Sequence, residues 1–285
     1  MRIKGHLVQG LTRTPLHLLV IGIALVWMIP TVGLFVSSLR TRQAINTGGW
    51  WIAFQHPLEF TLENYVDVLT QESLWRSFLN SLAIAIPATV IPIVIAALAA
   101  YAFAWMRFPG RDLLFLVTVG LLVVPLQMTL IPVLRLLTAL QLTGTFPAVW
   151  LAHTAYGLPF AIFLLRNFFG ALPRDLFEAA YLDGASDFKV FFRIVLPLSV
   201  PALAALAIFQ FMWVWNDLLV ALVYLSDVPD RAPMTLTIVN LVGRFASYQH
   251  LLTSAAFLSM LLPLLIFFAL QRYFVEGILA GSVKG

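Results

Sequence analysis

The sequence predicts an all-α integral membrane protein with six transmembrane helices, and three observations predict it. Of the 285 residues, 61% are hydrophobic and only 11% charged, against about 25% charged in a soluble domain. Mean hydropathy is +0.94. Six apolar stretches, Leu16–Ser38, Asn80–Met106, Leu113–Leu137, Phe146–Arg166, Pro201–Leu225 and Leu251–Arg272, reach the roughly 20 residues a helix needs to cross a bilayer. None alternates apolar and polar residues at every second position, as a membrane-barrel strand would.

The first stretch follows Arg2, Lys4 and Arg13 and exceeds the roughly 7–15-residue core of a cleaved signal. It is expected to remain as the first span. Between the first and second spans, the segment 39–79 carries Trp50, Trp51 and the acids Glu59, Glu63, Asp67 and Glu72. Paired tryptophans suit a segment lying along the membrane–water interface. Pro30, Pro87, Pro92, Pro125, Pro132, Pro159 and Pro263 fall inside the stretches and predict kinks whose freed carbonyls neighbouring helices satisfy. The whole chain, 1–285, is expected to form one transmembrane domain, with a cytoplasmic loop at 171–200 and a cytoplasmic tail at 273–285.

The formal charge is +4 and the pI about 9.6. No basic run interleaved with aromatics argues for nucleic acid, and basic excess is expected of a membrane protein whose cytoplasmic loops hold Lys and Arg. With the N-terminus inside, most of the 17 Lys and Arg share its side, among them Arg2, Lys4, Arg13, Arg107, Arg111, Arg166, Lys189 and Arg193. Both termini are therefore expected in the cytoplasm. The absence of cysteine excludes disulfides, thiol catalysis and Cys metal sites.

Between the fourth and fifth spans lies EAAYLDGASDFKVFFRIVLPL, Glu178 to Leu198, charged and helix-like where its neighbours are apolar. Pro173 suits a first helical turn, and Asp175 there complements the helix dipole. Leu176, Phe177, Ala180 and Tyr181 share one face, and Arg174 and Glu178 stand at i, i+4. Gly184 suits a C-terminal cap of positive φ, and Ser186 can cap a second helix. That helix carries Phe188, Phe191, Phe192 and Val195 as a stripe before Pro197 stops it. The spacing predicts a helix–glycine–helix hairpin at the inner membrane surface, with Ala179 and Ala180 small enough for close approach by another protein.

Glu178-Ala179-Ala180, three residues, Gly184, nine residues, Ile194, one residue and Leu196-Pro197 resemble the EAA loop of bacterial ABC importer permeases. The ending QRYFVEGILAGSVKG resembles the tail of sugar permeases of the maltose-transporter type, and the likeness runs over essentially the whole chain. It implies a type I ABC importer permease fold whose first loop helix is a coupling helix, seated in a cleft of a cytoplasmic ATPase subunit. Glu178, Ala179, Ala180, Asp183, Gly184 and Ala185, with Ile194 and Pro197 of the same motif, become the ATPase-coupling residues. Glu178 becomes the charge partner of a basic residue in the cleft. Gly281, Ser282, Val283, Lys284 and Gly285 become a tail reaching between two ATPase subunits.

The same resemblance implies the partners: a second permease subunit, two ATPase subunits that bind ATP and Mg, and an external solute-binding protein. It also implies a bacterial inner membrane as the setting. SSLRTRQAINTGGWW and the tail look most like permeases for α-glucosides or related glucosyl compounds, within a frame shared by glycerol-phosphate importers. The chain itself has no G-x-x-x-x-G-K-[ST] phosphate loop and no zincin or nucleophile-elbow motif. It is read as a transport subunit that binds no cofactor, not an enzyme.

Asp217, in Trp213-Val-Trp-Asn-Asp, is the one acid well inside a predicted span. An intramembrane carboxylate is a proton relay or substrate ligand by default, which would make the chain an ion-coupled secondary transporter. The favoured reading is a bonded carboxylate that fixes helix packing, with Asn216 judged alongside it. Asn80, Tyr101, Gln127, His153, Tyr156 and Trp213 complete the candidate sugar path, because sugar sites combine aromatic faces with a few converging polar groups. A purely structural membrane scaffold is the remaining alternative.

Overall fold

The computed structural model describes residues 2–55, 59–70, 74–225, 228–244 and 248–282, with side chains described except at 2–13, 243, 244 and beyond Arg272. All regular elements among these residues are helical. The chain divides into two compact units, Met1–Ser73 with Asn240–Leu258 and Leu74–Val239 with Ser259–Gly285.

The first unit begins with α1 (Arg2–Ser38), whose part Thr14–Ser38 is long and apolar enough to span. From Leu16 to Ile29 its apolar side chains are exposed, as suits contact with lipid or another chain. After Ser38 the chain folds into a knot built on Arg40, which is only 1% exposed. Its guanidinium donates to the carbonyls of Ala44, Gly48 and Gly49. Those acceptors belong to α2 (Arg42–Thr47), capped by Thr41, and the turn after it. Asn64 of α3 (Glu63–Thr70) donates to the carbonyls of Ser38 and Arg40 at 3.0 and 2.8 Å. Burial pushes the Tyr65 phenol above its ordinary range, while its hydrogen bond with Ser38 works the other way. Trp50 closes on α1 so tightly that a Cβ at Gly33 would lie 2.7 Å from its indole nitrogen. Trp51 is exposed, so one of the two tryptophans packs and one remains free for an interface.

The second unit is built around α4 (Leu74–Trp105) and α7 (Phe146–Gly170). α4 buries Ala85, Ala88, Ala96, Ala97 and Ala100, small residues that let apolar helices approach closely. Gly157 of α7 serves the same end, since a Cβ there would meet the Gln210 amide at 2.6 Å. Gln210 donates to the Ala88 carbonyl at 3.1 Å and satisfies a buried polar pair.

Two expected spans are broken. The stretch Leu113–Leu137 forms α5 (Arg111–Gly120), continued by a 3-10 turn to Val123, and α6 (Leu126–Ala139), and the two arms are bent by 104° at Val124 and Pro125. Pro125 is the reason: a proline pushes the residue before it out of the helical region, and Val124 is extended at φ −73, ψ 115. The hairpin follows as α8 (Arg174–Leu182), α9 (Asp187–Val190), a π-helical turn at Phe191–Val195 and α10 (Leu196–Leu198). The stretch Pro201–Leu225 then forms α11 (Val200–Trp215) and α12 (Leu219–Leu225), interrupted at Asn216 and Asp217. Residues Asp187–Leu198 meet α11 at 74°.

A polar ladder on the first turns of α4 holds the chain between α12 and α13 (Met234–Arg244). Asn80 donates to the carbonyls of Asp230 and Ala232 at 2.8 and 3.1 Å. Ser81 accepts from the Met234 N–H, and Ser77 pairs with Thr237. The last helix, α14 (Gln249–Ser282), contains Pro263, and its part Gln249–Arg272 qualifies as a span. Together α1, α4, α7 and α14 give four continuous spans, and each bent pair counts as a further one.

Candidate functional site

The hairpin at 173–200 forms where the sequence predicts it. Pro173 occupies the N-cap rather than the first turn, and Asp175 lies in that turn. The C-terminal end of α8 closes as a Schellman motif: the Gly184 N–H reaches the Tyr181 carbonyl at 3.0 Å and the Ala185 N–H the Ala180 carbonyl at 2.9 Å. Gly184 has φ +75, in the region that Cβ sterics deny to most residues. Ser186 caps α9 by accepting from the Lys189 N–H. The predicted Arg174–Glu178 ion pair is not formed among the described residues, which leaves the Glu178 carboxylate facing solvent.

The hairpin has two unlike faces. Phe177, 2% exposed, stacks on Trp105 at the end of α4 with ring centroids 3.6 Å apart. The Trp105 indole donates to the Phe169 carbonyl of α7 at 2.9 Å. Phe177, Val190, Phe191 and Val195 share one buried cluster with Tyr101 of α4, Leu165 and Phe169 of α7, and Leu206 of α11. Ala180, Ala185 and Ile194 pack partly against it. Away from it, Glu178, Ala179, Asp183, Gly184 and Pro197 are exposed, together with Leu182 at 88% and Phe188 at 72%. The inward side is thus keyed to three long helices. The outward side presents the acids Glu178 and Asp183 among small and apolar groups.

The predicted stripe Phe188, Phe191, Phe192 and Val195 does not form a single face. Phe191 and Val195 are buried, whereas Phe188 and Phe192 are exposed. The buried cluster takes only one edge of the stripe, and the second arm continues in a π-helical turn, in which the Leu196 N–H reaches the Phe191 carbonyl five residues back. Pro197 carries no N–H and its ring crowds the carbonyl four residues earlier, a clash a wider turn relieves. Likewise, on α8, Phe177 and Ala180 turn inward while Leu176 is exposed.

Sequence reasoning placed Tyr101 on the sugar path. It lies instead beneath the hairpin, its hydroxyl 3.3 Å from that of Tyr181, which donates to Asp187 at 2.8 Å. Burial pushes the Tyr181 phenol above its ordinary value, so it stays protonated and a donor near neutral pH. Trp105, Phe177, Tyr181 and Asp187 had no sequence signal beyond helix-face spacing, because their partners lie on a distant helix. Of the tail, Gly281 and Ser282 end α14, and Val283, Lys284 and Gly285 lie outside the described residues.

The other candidates do not converge into one cavity. Asn80 spends its amide on backbone carbonyls, Gln127 is exposed near the start of α6, and Asn216 bonds back to the Met212 carbonyl. Tyr156 pairs with Tyr224, which also reaches the Leu130 carbonyl of α6. His153, Trp213 and Asp217 do come together. The His153 ring meets Trp213 edge-on at 5.0 Å, and its Nε2 is 3.7 Å from Asp217 Oδ2. With Ser81 and Ala221, His153 and Asp217 line a cavity of about 10 Å³, roughly the space of one water and far below that of a sugar ring. Asp217 Oδ2 also accepts from the N–H groups of Val220 and Ala221, capping α12 at the break in the fifth span. Asp217→Ala is therefore expected to cost about 1 kcal/mol of stability, while Asp217→Asn keeps the cap. Uptake by Asp217→Asn should stay near wild type; its abolition would show that the carboxylate carries a proton or ligand.

The model of the family described as "binding-protein-dependent transport system inner membrane component" matches residues 93–279, which include the whole hairpin. The chain is 61% identical over 275 residues to the osmoprotective compounds uptake permease protein GgtD of Synechocystis sp., covering 95% of this chain and 92% of that one. It is 56% identical over 234 residues to the alpha-glucoside transport system permease protein AglG of Rhizobium meliloti, covering 80% and 62% respectively. A chain in the crystal structure of a bacterial alginate ABC transporter, bound to its periplasmic protein carrying an alginate pentasaccharide, superposes with TM-score 0.67. That likeness covers 93% of this chain and 95% of the other at 16% identity, and concerns the fold.

Proposed function

The chain belongs to the family of binding-protein-dependent transport inner membrane components, and from that premise we propose that it is a permease subunit of an ATP-driven importer of glucosides or related glucosyl compounds. The cargo reading is supported by the relatives at 61% and 56% identity, whose names specify osmoprotective compounds and alpha-glucosides.

The observation that carries the mechanism is the two-faced hairpin. Its outward side, with Glu178, Ala179, Asp183 and Gly184, docks on an ATPase subunit, and its inward side is seated on the ends of α4 and α7 and on α11 through Phe177, Phe191 and Val195. Closing of two ATPase subunits on ATP moves the hairpin as a rigid key, and the spans follow because close-packed apolar contacts transmit displacement. Nucleotide thereby biases the balance between two arrangements of the spans. An external binding protein delivers solute to the outward-facing arrangement, and a second permease subunit completes the pathway. Both termini and the hairpin lie in the cytoplasm, where the tail from Gly281 approaches the ATPase pair.

In this reading ATP and Mg are held by the partner subunits. The small cavity beside His153 and Asp217 leaves this subunit few sugar contacts, so the other permease subunit supplies most of them. The test is ATP hydrolysis by the assembled complex in lipid. Stimulation by a binding protein loaded with an α-glucoside, and uptake without an ion gradient, are expected. Uptake that follows an ion gradient and ignores ATP would overturn the reading.

A further inference from the structure

The contacts that hold the hairpin to α4 are of two kinds. The Phe177–Trp105 stack is apolar and buried. The other is the chain of three polar groups Tyr101, Tyr181 and Asp187. Tyr101 is 5% exposed in α4, Tyr181 belongs to the last turn of α8, and Asp187 opens α9. Tyr181 gives its one proton to Asp187 Oδ1 at 2.8 Å. The Tyr101 hydroxyl, 3.3 Å away, therefore donates to the Tyr181 oxygen, since a hydroxyl carries one hydrogen. The chain ends on a carboxylate, which strengthens the hydrogen bond it accepts.

We propose that Tyr101, Tyr181 and Asp187 form a latch that fixes the angle of both hairpin arms to α4, making them positioning residues for the coupling of ATP hydrolysis to transport.

The geometry carries this in three ways. Gly184, at the bend between the arms, has φ +75, and the bend is closed by short backbone hydrogen bonds, from the Gly184 N–H to Tyr181 and from the Ala185 N–H to Ala180, to which a side-chain bridge adds direction. Tyr181 and Asp187 flank that bend and bridge it. Tyr101 lies on the continuous span α4, and its ring also rests 5.3 Å from that of Phe191 on the second arm. A displacement of the hairpin tip thus reaches α4 through a directional contact as well as through the apolar stack. A hydrogen-bonded contact can break and reform with little net change in free energy, which suits an element that cycles.

The inference rests on the importer reading for its effect on transport, but the latch itself is testable in the chain alone. Because the protein has no cysteine, Leu182→Cys introduces a single thiol at a position 88% exposed and adjacent to Tyr181. A spin label there, on the full chain in lipid nanodiscs, reports hairpin mobility. Tyr181→Phe and Tyr101→Phe keep the rings and remove only the hydroxyls. Each is expected to mobilise the label, and the double variant should be no more mobile than Tyr181→Phe, because the groups act in series. Asp187→Asn, which retains an acceptor oxygen, should restore much of what Asp187→Ala loses.

In the assembled complex, Tyr181→Phe is expected to lower solute imported per ATP hydrolysed by about three- to tenfold, the range set by losing one net hydrogen bond. An unchanged label spectrum in both Phe variants would overturn the latch. Mobilised labels with an unchanged import-to-hydrolysis ratio would overturn its part in coupling. A wild-type complex whose hydrolysis ignores solute would instead sink the importer reading, while the label spectra still judge the latch.

Discussion

Glu178→Lys is expected to abolish solute uptake and the solute stimulation of ATP hydrolysis while leaving the chain inserted and folded. Glu178 is exposed on the outward side of α8 and forms no ion pair among the described residues, so no intramolecular contact is lost. What changes is the sign of charge on the proposed docking surface. Replacing an attractive contact by a like-charge one at an interface costs several kcal/mol, which corresponds to a loss of coupling of about 100-fold. Glu178→Gln removes attraction without adding repulsion and should fall between wild type and the Lys variant. Uptake assays in proteoliposomes, with detergent-solubilised yield as the folding control, check both. Normal ATP-driven uptake by the Lys variant would remove Glu178 from the docking surface.

Phe177→Ala should cost about 3–5 kcal/mol of stability, the range for emptying a buried aromatic site. The side chain is 2% exposed and stacked on Trp105, so its loss leaves a cavity between α8 and the end of α4. The hairpin then loses its apolar seat, and uptake should fall along with thermal stability. Phe188→Ala is the matched control. It removes the same group from a side chain 72% exposed, and surface substitutions usually stay within about 0.5 kcal/mol. If Phe188 contributes to docking, its variant loses uptake without losing stability. Equal melting temperatures for the two variants would contradict the inward and outward assignment of the hairpin faces.

The contrast between these residues shows what a linear sequence reveals of such a site. The hairpin was legible because its determinants are local: a proline before the first helix, a glycine at the bend, a serine cap, and apolar residues at helical spacing. Gly184 takes positive φ and Ser186 caps, as their chemistry requires. The faces were less legible. Phe188 and Phe191 stand in one α-helical stripe on paper, yet the edge of the buried cluster runs between them, leaving Phe188 outside and Phe191 inside.

Membrane spans followed the same division. The expected stretches Leu16–Ser38, Asn80–Met106, Phe146–Arg166 and Leu251–Arg272 each fall on one long helix, α1, α4, α7 or α14, though α1 begins at Arg2 and α4 at Leu74, ahead of the expected starts. α14 continues to Ser282, well past the expected end of its span. The breaks at Pro125 and Asp217 were harder, since a proline can kink a helix or end it, and the outcome depends on partners far along the chain. Asp217 was read as a bonded carboxylate, and it caps α12.

Long-range roles were hidden. Tyr101 and Asn80 are polar or aromatic residues in apolar stretches, the same surface signal that a sugar site gives. Tyr101 serves the hairpin and Asn80 pins the loop before α13. The Arg40 guanidinium is buried among backbone carbonyls, an arrangement no local pattern announces.

The central claim is that the outward side of α8 is where the ATPase binds. A photo-crosslinking residue at Ala179, exposed between Glu178 and the partly buried Ala180, tests it most directly in the complex purified in mild detergent from cells expressing the neighbouring transport genes. The account predicts one cross-linked product joining this chain to a soluble ATPase subunit, changed in yield by nucleotide. Cross-links confined to lipid, to the second permease subunit or to another copy of this chain would contradict it.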